Sequence, residues 1–168
     1  MTIGPSPLRV EAAMVEVSRT RETAMPRALV CRELGGEELL ELRDDWPARA
    51  CGAEQVRIDV RAASVNFPDV LIIRGLYLLK PELPFVPGNE CSGVALETGA
   101  SVRDVGVGDR VLTLLGTGAF ATEVVAGPMS QVMRIPDSMG WDDAAAFNLT
   151  YGTSMHALHR RVSHRRDC

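Results

Sequence analysis

Asn66, Asp69, Tyr77, Asn89 and Glu90 gather amide, carboxylate and phenol groups into one stretch, Ser64 to Gly93 (SVNFPDVLIIRGLYLLKPELPFVPGNECSG), of a 168-residue chain. Amides and carboxylates can orient a polar ligand by hydrogen bonding, and a phenol can donate to an oxygen on which negative charge develops. That chemistry needs a stiff support. Pro81, Pro84 and Pro87 restrict the backbone ahead of Gly88, so Asn89 and Glu90 are delivered to a fixed point. The stretch reads as a rigid loop that carries polar groups between apolar walls, as small-molecule sites do.

The elements that must hold this loop are short strands. Ala28 to Cys31 reads as a first strand, Gly35-Gly36 as a turn, and Glu38 to Arg43 as a second strand. Gln55 to Ala63 alternates, with Val56, Ile58, Val60 and Ala62 on one face, and is the clearest strand in the chain. Further strands are expected over Cys91 to Thr98, Asp109 to Leu115, Phe120 to Ala126 and Val132 to Ile135. Strands at this spacing predict a barrel or sandwich. Helix follows: Ser138 is read as an N-cap, Trp141 to Phe147 as a first helical segment with Asp142 and Asp143 near its start, and Gly152 to Leu158 as a second.

Composition sets the outer limits. With 46% hydrophobic and 24% charged residues the chain suits one globular domain, and its net charge of −4 does not favour nucleic acid or an anionic membrane. The basic residues Arg160, Arg161, Arg165 and Arg166 near the end read as a solvated terminus. No apolar run approaches the roughly 18 residues of a membrane span, and a cytoplasmic location is expected. Cys31, Cys51, Cys91 and Cys168 are scattered without a C-x-x-C pair, which favours reduced thiols. His156, His159 and His164 are read as a solvated helix end rather than a metal site. Residues 1–24 form an N-terminal extension, 25–160 the folded unit and 161–168 a tail.

Five ordered motifs, V-N-F-x-D-x(4)-R-G-x-Y, L-P-F-x-P-G-x-E-x-x-G, G-D-R-V and A-A-A-F among them, resemble the medium-chain dehydrogenase/reductase superfamily. Within it the sequence is most similar to the zinc-independent quinone oxidoreductase branch. The resemblance implies a mainly β, GroES-like distorted antiparallel barrel with short C-terminal helices, which in the full family is followed by a Rossmann domain that binds NADPH. It places Asn66 where zinc-dependent relatives have a cysteine ligand and Asn89 where they have the histidine of P-G-H-E, with Leu149 near a third ligand position. No catalytic zinc is therefore expected. Asn66, Asp69, Tyr77 and Thr153 match positions that line the nicotinamide and substrate pocket, with Tyr77 and Asn66 in the catalytic role.

The resemblance also sets an expectation of incompleteness. A dinucleotide site needs a glycine-rich turn between strand and helix, and Gly116 to Gly118 lacks a third glycine and a following helix. The chain is read as a truncated family member with an incomplete barrel and no Rossmann domain. It would take a small quinone or enone if active, would not bind NADPH tightly alone, and leaves room for self-association or pairing with a full-length relative. The rival reading is a non-catalytic remnant that serves as a binding or interaction module. On spacing alone, Asn66 and Asp69 also fit residues that bond to nearby backbone, Tyr77 fits a half-buried packing residue, and Glu90 fits a carboxylate that accepts backbone N–H groups.

Overall fold

A computed structural model describes residues 25–163. The expectations for residues 1–24, for His164 and for the last residues of the tail lie outside that range. The described chain is mainly β, as expected. Seven strands form two sheets, β1 (Ala28–Cys31) with β2 (Leu40–Arg43), and β3 (Val56–Ser64), β4 (Glu90–Thr98), β5 (Arg110–Leu114), β6 (Glu123–Ala126) and β7 (Gln131–Arg134) in the order β6-β3-β4-β5-β7. All the pairings are antiparallel.

The long strand β3 explains why the larger sheet forms. Its alternation buries Val56, Ile58 and Val60 against Cys91, Val111 and Val124, which is one continuous core. The intervening residues carry charge, and the register turns them into cross-strand pairs: Arg57 lies 3.0 Å from Glu97 on β4 and 3.3 Å from Glu123 on β6. The smaller sheet is tied to this body by backbone bonds, from Leu29 N–H to Phe120 O (2.9 Å) and from Cys31 N–H to Phe85 O (2.8 Å).

Several boundaries depart from the sequence expectation. The stretch after Ser64 is not all loop: Phe67–Ile73 forms helix α1. Asn66 is its N-cap, Pro68 sits in the first turn where a missing N–H costs nothing, and Ile72 and Ile73 are buried beside Cys31 and Phe85. Glu38 and Leu39 belong to a 3-10 turn, Glu37–Leu39, that precedes β2. At the far end the N-cap of α2 (Trp141–Ala145) is Gly140, because Ser138 lies inside a turn closed by Met139 N–H and Pro136 O (3.0 Å). The second helix, α3 (Phe147–Ser163), begins at Phe147 and carries Gly152 within it. An interior glycine costs about 1 kcal/mol relative to alanine.

Arg110 fixes the approach to these helices. Its guanidinium donates to the carbonyls of Pro136 (2.9 Å), Asp137 (2.6 Å) and Met139 (2.6 Å), and lies 4.2 Å from the centre of the Trp141 ring. On the sheet side, Ser92 Oγ donates to Trp141 O at 2.6 Å. These bonds bring the start of α3 over the start of β4, where the site is built.

Candidate functional site

Asn66 and Asp69 are held by the way α1 begins. The Asp69 carboxylate reaches back to accept the N–H of Asn66 at 2.8 Å, one arm of a capping box. Its other oxygen accepts the side-chain amide of Asn89. Asn89 is delivered by Gly88, whose φ of 97° suits glycine and whose added Cβ would meet the Phe120 ring at 2.6 Å. Thus the two asparagines, 23 positions apart in sequence number (89 − 66), meet through one aspartate.

Glu90 completes the arrangement and is 1% exposed. Its Oε1 accepts Ser64 Oγ at 2.8 Å and Asn66 Nδ2 at 3.2 Å, while Oε2 accepts the N–H of Leu149 at 2.8 Å. Asn66 Nδ2 donates also to Ser64 Oγ at 2.9 Å. The reading of Glu90 as an acceptor of backbone N–H therefore holds, and the carboxylate does more: it joins the end of β3, the cap of α1 and the first turn of α3. Ser64 and the Leu149 N–H had escaped sequence reasoning. Nothing in the sequence pairs a serine at a strand end with an amide in a helix that starts more than eighty residues later.

Burial pushes the Asp69 carboxyl above its usual value of 3.8, and the negative charge of Glu90 adds to this, while the bonds from Asn66 and Asn89 oppose it. An aspartate raised in the folded state binds its proton more tightly folded than unfolded. Its contribution to stability is then present below the unfolded value of 3.8 and is lost as pH rises through the folded value. A carbon-13 NMR titration of the Asp69 carboxyl is expected to show a midpoint above 3.8; a midpoint at or below it contradicts the burial argument.

Tyr77 and Thr153 are less closely drawn in. Thr153 is exposed on α3, one turn beyond Leu149 and on the same side of the helix. Tyr77 is 37% exposed, in the segment after α1, and takes part in no hydrogen bond among the described residues. The structure thus joins Asn66 and Asp69 in one network, sets Thr153 one turn further along the helix whose start is bonded to it and leaves Tyr77 outside its bonds. Exposed apolar side chains adjoin the network in the chain, Val65 and Phe67 at the start of α1, Phe147 and Tyr151 at the start of α3. The last two stack with ring centres 5.1 Å apart.

Asn66, Asn89 and Leu149, the positions that the resemblance sets at or near metal-ligand places, are bonded to Asp69 and Glu90, and their side chains are two amides and an alkyl chain. Among the described residues no three His, Cys, Asp or Glu side chains are grouped to hold a metal ion. Cys91, next to Glu90, is buried and its thiol is pushed up to about 12 by desolvation, so it is no thiolate ligand. Of two cavities of about 420 and 410 Å³, one lies beside Trp46, Pro84 and Glu123, and the other, between Leu29, Arg61 and Phe120, reaches Val65 next to Asn66.

A family profile described as alcohol dehydrogenase GroES-like domain matches residues 52–137, half of the chain. The chain belongs to this family. Among curated relatives, the quinone oxidoreductase-like protein 2 homolog of Nematostella vectensis is 39% identical over 82% of this chain and 37% of its own length. The GroES-like domain superposes on the human synaptic vesicle membrane protein VAT-1 homolog-like protein with a TM-score of 0.76 at 32% identity, covering 81% of this chain and 43% of that one. It superposes on the Escherichia coli quinone oxidoreductase, solved in complex with NADPH, with a TM-score of 0.69 at 25% identity, covering 83% and 41%. The chain therefore spans well under half the length of these relatives. Its resemblance to the quinone oxidoreductases of the medium-chain superfamily is shown by both kinds of comparison.

Gly116 to Ala121, whose first part was expected to fail as a dinucleotide turn, has the outline G-x-G-x-x-A, a variant of the fingerprint with alanine in the third place. Gly116 and Gly118 do have positive φ, 88° and 111°. Yet Ala121 bridges to Ala28, and strand β6 follows where the fingerprint requires a helix N-terminus to receive the pyrophosphate.

Proposed function

We propose that these residues form the substrate-side part of an NADPH-dependent quinone or enone oxidoreductase that works without a catalytic metal. The observation that carries the reading is the Ser64–Asn66–Glu90–Asp69–Asn89 network, with amides at two of the metal-ligand positions and the first turn of α3 bonded to it. The names of the relatives support the substrate class, and the NADPH complex of the E. coli neighbour supports the cofactor. NADPH supplies the hydride when bound. Asn66 and Thr153 would orient its nicotinamide end, the exposed rings of Phe147 and Tyr151 would give a flat ring an apolar surface, and Tyr77 would donate to the substrate oxygen on which charge develops.

No turn that leads from strand to helix fits the pyrophosphate end among the described residues, so the 168 residues alone are expected to bind NADPH weakly and to turn over no quinone. Fluorescence titration with NADPH and a quinone-dependent NADPH oxidation assay measure both. The activity itself is read from a chimera in which residues 25–160 replace the matching part of a quinone oxidoreductase. It is expected to oxidise NADPH with a benzoquinone, and Asn66→Ala in it to lose on the order of 10²-fold in kcat/KM. A folded chimera that binds NADPH but reduces neither quinone nor enone would favour a non-catalytic binding module.

A further inference from the structure

Asparagine can present either of two faces, because exchanging its oxygen and nitrogen barely alters its shape. Which face points inward is decided by its neighbours. Asn66 Nδ2 meets two oxygens, Ser64 Oγ at 2.9 Å and Glu90 Oε1 at 3.2 Å, and Ser64 itself donates to Glu90 at 2.8 Å. The serine proton is spent on the carboxylate, so the serine can only accept from Asn66. Glu90 can only accept as well, since its other oxygen takes the Leu149 N–H at 2.8 Å. Every inward partner of the Asn66 amide is thereby an acceptor, and the flipped amide would set oxygen against oxygen.

We infer that Glu90 is the positioning residue of this site: it locks the Asn66 amide in one orientation, nitrogen inward, and registers that orientation to the first turn of α3 through the Leu149 N–H. The inference deepens the function proposed above and rests on it for the use made of Asn66; the lock itself stands on the hydrogen bonds alone. Asp69 plays the matching part for Asn89, whose side-chain nitrogen it accepts. The carboxylates thus specify two amide orientations without touching a substrate. Glutamine at position 90 would not do the same. With its nitrogen toward Leu149 it would set donor against donor, so only the orientation with oxygen toward the Leu149 N–H and nitrogen toward Ser64 and Asn66 pairs every group, and in that one the Asn66 amide turns over.

The test is NMR of the nitrogen-15-labelled 168-residue chain, which needs neither NADPH nor substrate. In the unaltered protein Asn66 is expected to give one side-chain NH2 pair with slow hydrogen exchange. In Glu90→Gln that pair is expected to shift or broaden and to exchange at least about tenfold faster, as its nitrogen turns outward, while Ile58 and Val60 in the sheet core stay within about twofold. One unchanged, slowly exchanging Asn66 pair in Glu90→Gln overturns the lock, and so does an equal loss of protection at Ile58 and Val60. A second variant serves if Glu90→Gln does not fold. Asn66→Asp sets a carboxylate against Glu90, with Asp69 beside them as the third acid, and its Tm is expected to drop further below that of the unaltered chain at pH 8 than at pH 5. An equal drop at both pH values overturns the contact. Failure of the enzymatic assay leaves these readouts untouched, so the two ideas fail separately.

Discussion

Glu90→Ala is expected to destabilise the folded chain by about 3 kcal/mol, enough to lower Tm by roughly 10 °C in a domain of this size. Truncation removes the acceptor of Ser64 Oγ and of the Leu149 N–H and leaves Asn66 Nδ2 with Ser64 Oγ alone. A buried donor left unpaired costs about 1–3 kcal/mol. Some of that is recovered, because the protein no longer desolvates a carboxylate and Ser64 sits near enough to the surface to find water. Urea denaturation followed by circular dichroism gives the number. A loss below about 1 kcal/mol would mean that water already serves these donors. The exposed pair of Arg74 and Glu37, 3.2 Å apart, is the natural control, since its removal should change little.

Gly93→Ala is expected to cost about 2–3 kcal/mol for the opposite reason, too much volume instead of too few bonds. Gly93 is buried in β4, opposite Val60 on β3, where the pairing shifts register between Val60 and Ala62. A methyl group there would overlap the carbonyl oxygen of Asp59 and stand 2.8 Å from Ile58 Cγ2. The first of these is backbone and cannot rotate away, so β3 and β4 must separate locally. Such a change also disturbs the site, because the same two strands end at Ser64 and Glu90. The midpoint of urea denaturation should fall with the slope unchanged, and a melt equal to that of the parent chain would show that the strands can part freely. Against a total stability of about 5–15 kcal/mol, either substitution removes a large share.

Much of the β framework can be read from local pattern. The alternation of Val56, Ile58 and Val60 marks β3 because a period of two puts one face in the core, and that signal needs no partner strand to be visible. Helix α1 escaped notice because it is only seven residues long, too short for an apolar period, and because its N-cap pair is Asn66 and Asp69 rather than the more familiar serine or threonine with glutamate. The chemical character of the site was also open to the sequence, since Asn66 and Asn89 cannot offer thiolate or imidazole whatever the fold does. What the tertiary structure alone decided is which groups meet. Leu149 lies 59 residues from Glu90, and its N–H reaches the carboxylate only because Arg110 and Ser92 bring the start of the helical segment over β4. Hydrogen bonds between residues so far apart depend on the packing of whole elements, and no local spacing in a sequence records that packing.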